Sequence, residues 1–246
     1  MNDWSRYRLT IAWVAPLAAF FLVASLFGNL LPYRGSHSGP QLDIDGTRYL
    51  SFIVVRVIAI GLVVAFFLKT YLKTFPFRID RWGVIAGVVG AAIWIGLCSL
   101  QIESAVVSGL GLSDDLLGTR DSVNPFAVYS DSLAFYTFLA FRFTLLVIAV
   151  PIAEELFLRG FLMRAMDSEN WHDLPLANIG TYGLVIGTVY GIAAHPSEAI
   201  AAAFWFSLIT WLMVKTGRFW NCVLAHAITN LILGIYVCQS GNWHLW

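Results

Sequence analysis

The chain predicts an all-α membrane protein, a polytopic transmembrane helix bundle of about seven to eight spans. Three observations predict it. Apolar residues make up 59% of the 246 positions and charged residues 12%, whereas a soluble domain is nearer half apolar and a quarter charged. The apolar residues gather in runs of about 20, the length that crosses the hydrocarbon of a bilayer. Basic residues gather in the short polar segments between alternate runs, the pattern that sets membrane orientation.

Residues 9–32, 51–68 and 83–102 supply the first three spans. The first run is too long for the apolar region of a cleaved signal peptide and reads as a span that stays. Residues 103–131 form the longest polar stretch and read as an external loop, with Arg120 against five acidic residues. From 132 to 166 the chain is apolar for longer than one span requires. Residues 178–195, 197–214 and 220–239 are three further spans, the first two short. Arg6 and Arg8 precede the first span. Lys69, Lys73, Arg78 and Arg81 lie between the second and third, and Lys215 and Arg218 between the last two. This places the N-terminus in the cytoplasm.

Net charge is +0, so nothing favours nucleic acid as a partner. Cys98, Cys222 and Cys238 lie in apolar runs and are too few and scattered for a disulfide framework or a CxxC metal site. Arg56 and Arg142 also fall within apolar runs and read first as structural, paired with a carboxylate or with backbone carbonyls.

Three polar clusters interrupt the apolar pattern in the last hundred residues. "AEELFLRG" places Glu154, Glu155 and Arg159 directly after "FTLLVIAVPI". Glu155 and Arg159, four apart, share a helix face and form an ion pair. Glu154 is turned by about 100° from Glu155, onto a face with Val150, Pro151, Leu158 and Phe161. A carboxyl group set apart from its pairing partner in this way suits general acid-base work. His195 continues a stripe of Gly183, Gly187 and Gly191 at steps of four, so it faces a closely packed helix; Pro196 then ends the helix. His226 and Asn230 share a face near the start of the last span, where an imidazole and an amide hold a water or an oxyanion. Each cluster alone is more simply a packing device. Three together point to a site, either of an enzyme or of a transporter or proton relay, which uses the same groups at mid-membrane. Two histidines and a glutamate also match a catalytic zinc set, but the HExxH pattern is missing.

EExxxR in "EELFLR", His195 at the end of a Gly-rich helix and HxxxN in "HAITN" resemble, in this order, the three signatures of the CPBP family. These are the CAAX-processing and bacteriocin-processing intramembrane endopeptidases, and the resemblance covers roughly residues 145–240. "VPIAEELFLRGFLMR" and "GRFWNCVLAHAITNLILGIYV" further resemble a bacterial subgroup linked to exosortase-type C-terminal sorting. In the family the aromatic of the second motif stands four residues before the histidine; here Tyr190 stands five before His195.

The resemblance implies a glutamate-type protease of the bacterial inner membrane that cuts a membrane-anchored peptide or protein near its C-terminus. It implies that Glu154 activates a water, that His195 assists, and that His226 with Asn230 stabilises the oxyanion or completes the water's hydrogen bonding. Glu155 and Arg159 are then supporting residues. No metal and no cofactor are expected, zinc being the alternative. The division that follows has N-terminal transmembrane helices and an external loop over 1–131 and a catalytic helical core over 132–246, both in one membrane-embedded unit. A transporter or proton relay, and a non-catalytic membrane scaffold, are the competing readings. Hydropathy alone puts His195 at the outer end of its helix and His226 nearer the inner side, whereas the resemblance implies that they meet.

Overall fold

The computed structural model describes residues 3–28, 45–111 and 124–245, and every regular element among them is helical. In chain order these are α1 (Asp3–Gly28), α2 (Gly46–Thr74), α3 (Arg81–Ser99), α4 (Ile102–Gly109) and the single turn α5 (Pro125–Val128). Then come α6 (Ser132–Asp167), α7 (Thr181–Ala194), α8 (Ala199–Thr216) and α9 (Phe219–Ser240). Six stretches among the described residues are long and apolar enough to cross a membrane: Tyr7–Phe27, Gly46–Thr74, Arg81–Gly109, Ser132–Asp167, Pro196–Thr216 and Phe219–Ser240. The molecule is an integral membrane protein with an all-α polytopic fold. The remaining predicted span, residues 178–195, is α7. Its 14 residues rise about 21 Å, short of the roughly 30 Å hydrocarbon core.

The predicted external loop begins later than hydropathy places it. Residues 102–109 continue the third span as α4 after Gln101 adopts φ 48°, a left-handed break. Glu103, the first acidic residue of that stretch, accepts a hydrogen bond from the Ile200 amide at 2.9 Å. It thereby satisfies one of the amides that the first turn of α8 leaves without an intrahelical partner. The centre of the loop, with Arg120, and the end of the first predicted span lie outside the described residues.

α3 packs along α9 because Gly83 and Gly87 leave no side chain between the backbones. A Cβ on Gly87 would lie 2.8 Å from the Ala225 carbonyl oxygen. Thr229 on α9 uses that proximity, donating to the Gly87 carbonyl at 2.9 Å and accepting from Trp205 of α8 at 3.0 Å. The predicted glycine stripe of α7 is also a close-packing surface. A Cβ on Gly183 would clash with the Met163 carbonyl of α6, and one on Gly191 with the Phe206 ring of α8. α7 is therefore held between α6 and α8, and its C-terminal end, which carries His195, is set inside the bundle.

α6 is irregular in a way its composition does not announce. Residues Leu145–Ala149 and Leu156–Leu162 are π-helical, with Val150 donating to the Leu145 carbonyl and Met163 to that of Leu158. In that five-residue register the next donor after Val150 is Pro151, which has no N–H. The Leu146 carbonyl is thereby released, and Asn230 of α9 donates to it at 2.8 Å. A backbone group freed within hydrocarbon has to find such a partner.

Candidate active site

The two π-helical stretches flank Glu154 and Glu155, which sit on the short α-helical segment Val150–Glu155 between them. Glu155 and Arg159 are both fully buried and form the predicted ion pair, Arg159 Nη1 to Glu155 Oε1 at 2.8 Å. A second guanidinium nitrogen donates to the Phe206 carbonyl at 3.3 Å. Glu155 does more than balance Arg159. His226 Nδ1 lies 3.0 Å from the same Oε1. A carboxylate oxygen only accepts, so Nδ1 carries the proton and the ring is fixed in orientation. Its other nitrogen then faces Glu154, with Nε2 3.7 Å from Oε2. His226 is thus suspended between the two glutamates.

Glu154, 7% exposed, also lies near the phenol of Tyr190. Tyr190 comes from α7, five residues before His195. His195 Nδ1 lies 3.2 Å from the Gly191 carbonyl. A carbonyl accepts, so that nitrogen is the protonated one and Nε2 is the acceptor of the neutral ring.

Glu154, His195, His226 and Asn230 line one cavity of about 220 Å³. The four residues that the sequence nominates are brought together, although Asn230 already gives one amide hydrogen to Leu146. Glu155 and Arg159 are fully buried and do not line the cavity. The apparent mismatch in depth between His195 and His226 disappears because α7 is too short to carry His195 to the membrane face.

Aromatic residues complete the site, and no spacing in the sequence marks them. Trp205 packs on His226 with ring centroids 4.7 Å apart, and Phe206 and Trp94 pack on His195 at 5.7 and 5.3 Å. Phe206 also stacks under Arg159, 5.3 Å from its Cζ. The Trp205–Phe206 pair on α8 is thus a wedge that sets both imidazoles and the arginine. Its one sequence signal is Gly191, whose missing side chain makes room for Phe206. Among the described residues, no group of three histidine, cysteine or carboxylate side chains has the arrangement of a metal site.

Residues 136–232 match the Rce1-like family, described as type II CAAX prenyl endopeptidase Rce1-like. This segment contains EExxxR, Tyr190, His195 and HxxxN in the order on which the site is built. The likeness is confined to this segment, less than half of the chain. Over 134 residues the chain is also 31% identical to YyaK, an uncharacterized protein of Bacillus subtilis (strain 168), a match covering 48% of this chain. The chain spans 42% of the length of that relative. No solved structure matches. The matched segment contains every motif residue, but it does not close the cavity alone. Phe20, Arg56 and Trp94, from α1, α2 and α3, line part of the remaining wall, with Leu233, Gly234 and Leu245 beyond the matched segment.

Proposed function

We propose that the protein is an intramembrane endopeptidase that hydrolyses a peptide bond of a membrane-associated protein near its C-terminus. The observation that carries this reading is His226, held between Glu154 and Glu155 at the wall of a cavity that His195 and Asn230 share. Glu154 takes a proton from a water in the cavity, and the hydroxide adds to the scissile carbonyl. His195 helps to orient the water. His226 and the second amide hydrogen of Asn230 stabilise the developing oxyanion. The proton held by Glu154 then passes to the departing amine as the C–N bond breaks. Tyr190 positions the Glu154 carboxyl group. No metal takes part.

The family description supports a CAAX-type substrate class. The proposed setting is a bacterial inner membrane with the N-terminus in the cytoplasm, and the resemblance extends the proposal to exosortase-type sorting systems. The test compares membrane-protein C-termini, by mass spectrometry, in cells expressing the wild type or Glu154→Gln at equal levels. New C-termini confined to the wild type support the reading. Identical C-termini in both overturn it, and the proton-relay reading takes its place.

A further inference from the structure

Most of the apolar wall of the cavity stands on the helices that bear its polar groups. α6 carries Glu154 and brings Leu145, Leu146 and Val150; α9 carries His226 and Asn230 and brings Leu233 and Gly234. A change of shape at any of these positions also strains a helix that holds a reacting group. Leu245 is different. It lines the same cavity but belongs to neither helix. α9 ends at Ser240, and Gly241 adopts φ 72°, a left-handed cap that glycine takes without a Cβ penalty and that turns the chain out of the helix. Trp243–Leu245 then form a short 3-10 turn. Asn242 steadies the turn by donating from Nδ2 to the Tyr236 hydroxyl at 2.9 Å, and Trp243 packs on Phe126 with ring centroids 5.8 Å apart. Leu245 thereby returns to the bundle, 6% exposed, within a buried cluster that also contains Leu145, Phe52 and Phe138. Its hydrocarbon offers no hydrogen bond, so a polar group pressed against it would lose water and gain nothing.

We propose that Leu245 is a specificity-determining residue, which sets the size of the apolar side chain that the cavity admits beside the scissile bond. The inference rests on the protease reading above. Glu154 and Leu245 face one cavity of about 220 Å³, so a peptide whose carbonyl lies at Glu154 brings a neighbouring side chain against Leu245. Protein interiors are close-packed, and a fitted pocket registers a single methylene. The wall that selects is therefore separate from the groups that react. It can be lengthened or shortened while Glu154, His195, His226 and Asn230 keep their helices. It also lies beyond residues 136–232, so a chain with the same motifs need not share this pocket.

The test reads binding without catalysis. Glu154→Gln protein in phosphatidylcholine nanodiscs is titrated with two dansyl-labelled alanine hexapeptides, capped at both ends, that carry leucine or phenylalanine as a central guest. Partition into lipid is common to every variant and cancels from the comparison. Adding Leu245→Ala should raise the ratio of phenylalanine to leucine affinity at least about tenfold, the worth of a methylene in a fitted pocket, and Leu245→Phe should lower it. If Leu245→Ala does not yield folded protein, Leu245→Val and Leu245→Phe read the ratio in its two directions. An unchanged ratio, or no binding of either peptide by the parent, overturns the proposal. So does a fall of both affinities by the same factor, which makes Leu245 a support of the fold alone. The ratio does not depend on turnover. A protein that cuts nothing but shows the shift retains the pocket and loses the protease reading, and one that cuts while the ratio stays fixed loses only the pocket.

Discussion

Two polar clusters sit among the apolar helices of this molecule, and they are built on opposite plans. One joins the α2–α3 turn to the start of α9. There Asp80 accepts from Arg218 at 2.6 Å and from Asn221 at 2.9 Å, and its own amide donates back to Asn221 at 2.9 Å. Trp220 adds a bond to the Phe75 carbonyl at 2.8 Å. Donor and acceptor answer one another, and the cluster closes on itself. In the cavity, Glu154, His226 and Asn230 each have protein partners and also face open space. A polar cluster that only fastens helices has no reason to keep a side open. One that handles a water and a peptide must.

The sharpest break in that comparison comes from Glu154→Gln. It keeps shape and hydrogen bonding but cannot take a proton, so cleavage should fall about 10²–10⁴-fold while the melting temperature holds. Equal cleavage by the variant removes Glu154 from the chemistry. Glu155→Gln acts on both sides of the comparison. It strips the charged partner from a fully buried arginine, a loss of roughly 3–5 kcal/mol, and weakens the hold on His226 Nδ1. Two double variants separate these effects. Glu155→Gln with Arg159→Met should recover stability and part of the cleavage, because an acceptor for Nδ1 remains. Glu155→Met with Arg159→Met should recover stability alone. Parallel recovery of cleavage in both, measured beside thermal melts, removes the orienting role of Glu155.

Smaller effects follow. Asn230→Ala leaves the Leu146 carbonyl unanswered, at about 1–3 kcal/mol, and lowers cleavage as well. A melt unchanged from wild type shows that water answers that carbonyl equally well. Asp80→Asn, in the closed cluster, should cost less than about 1 kcal/mol because its Arg218 partner is 41% exposed, with cleavage unaffected. A large loss of cleavage in that variant erases the distinction between the two clusters. Strong chelators should leave cleavage by the purified protein unchanged; loss on chelation with recovery on adding zinc reassigns the histidines as ligands.

What the sequence discloses follows from which forces are local. Span positions are legible because hydrophobic runs report the bilayer directly, and the Glu155–Arg159 pair because four residues make a helical turn. The helical continuation through 102–109 is not, since Glu103 is held by an amide of α8, 97 positions away. The Trp205–Phe206 wedge is hidden because two more aromatics in an apolar helix carry no distinguishing pattern. Tyr190 shows the reverse case. Its odd spacing is visible in the sequence, but only the packing of α7 on α6 shows that the phenol lies near Glu154.

The π-helical stretch Leu145–Ala149 has a consequence for how this site is inherited. A π turn holds one more residue than the α turn it replaces. Deleting Ile148 would leave composition and hydropathy almost unchanged and would let this part of α6 run as a regular helix. It would also swing every residue upstream of the deletion by about 100° relative to Glu154, carrying Arg142 away from the cavity wall, while the Leu146 carbonyl would still fall opposite Pro151, which has no N–H to give it. The working geometry is therefore written partly as a tally of positions. An alignment that scores only residue likeness would treat the loss of one isoleucine in an apolar run as trivial, yet here it would dismantle the site.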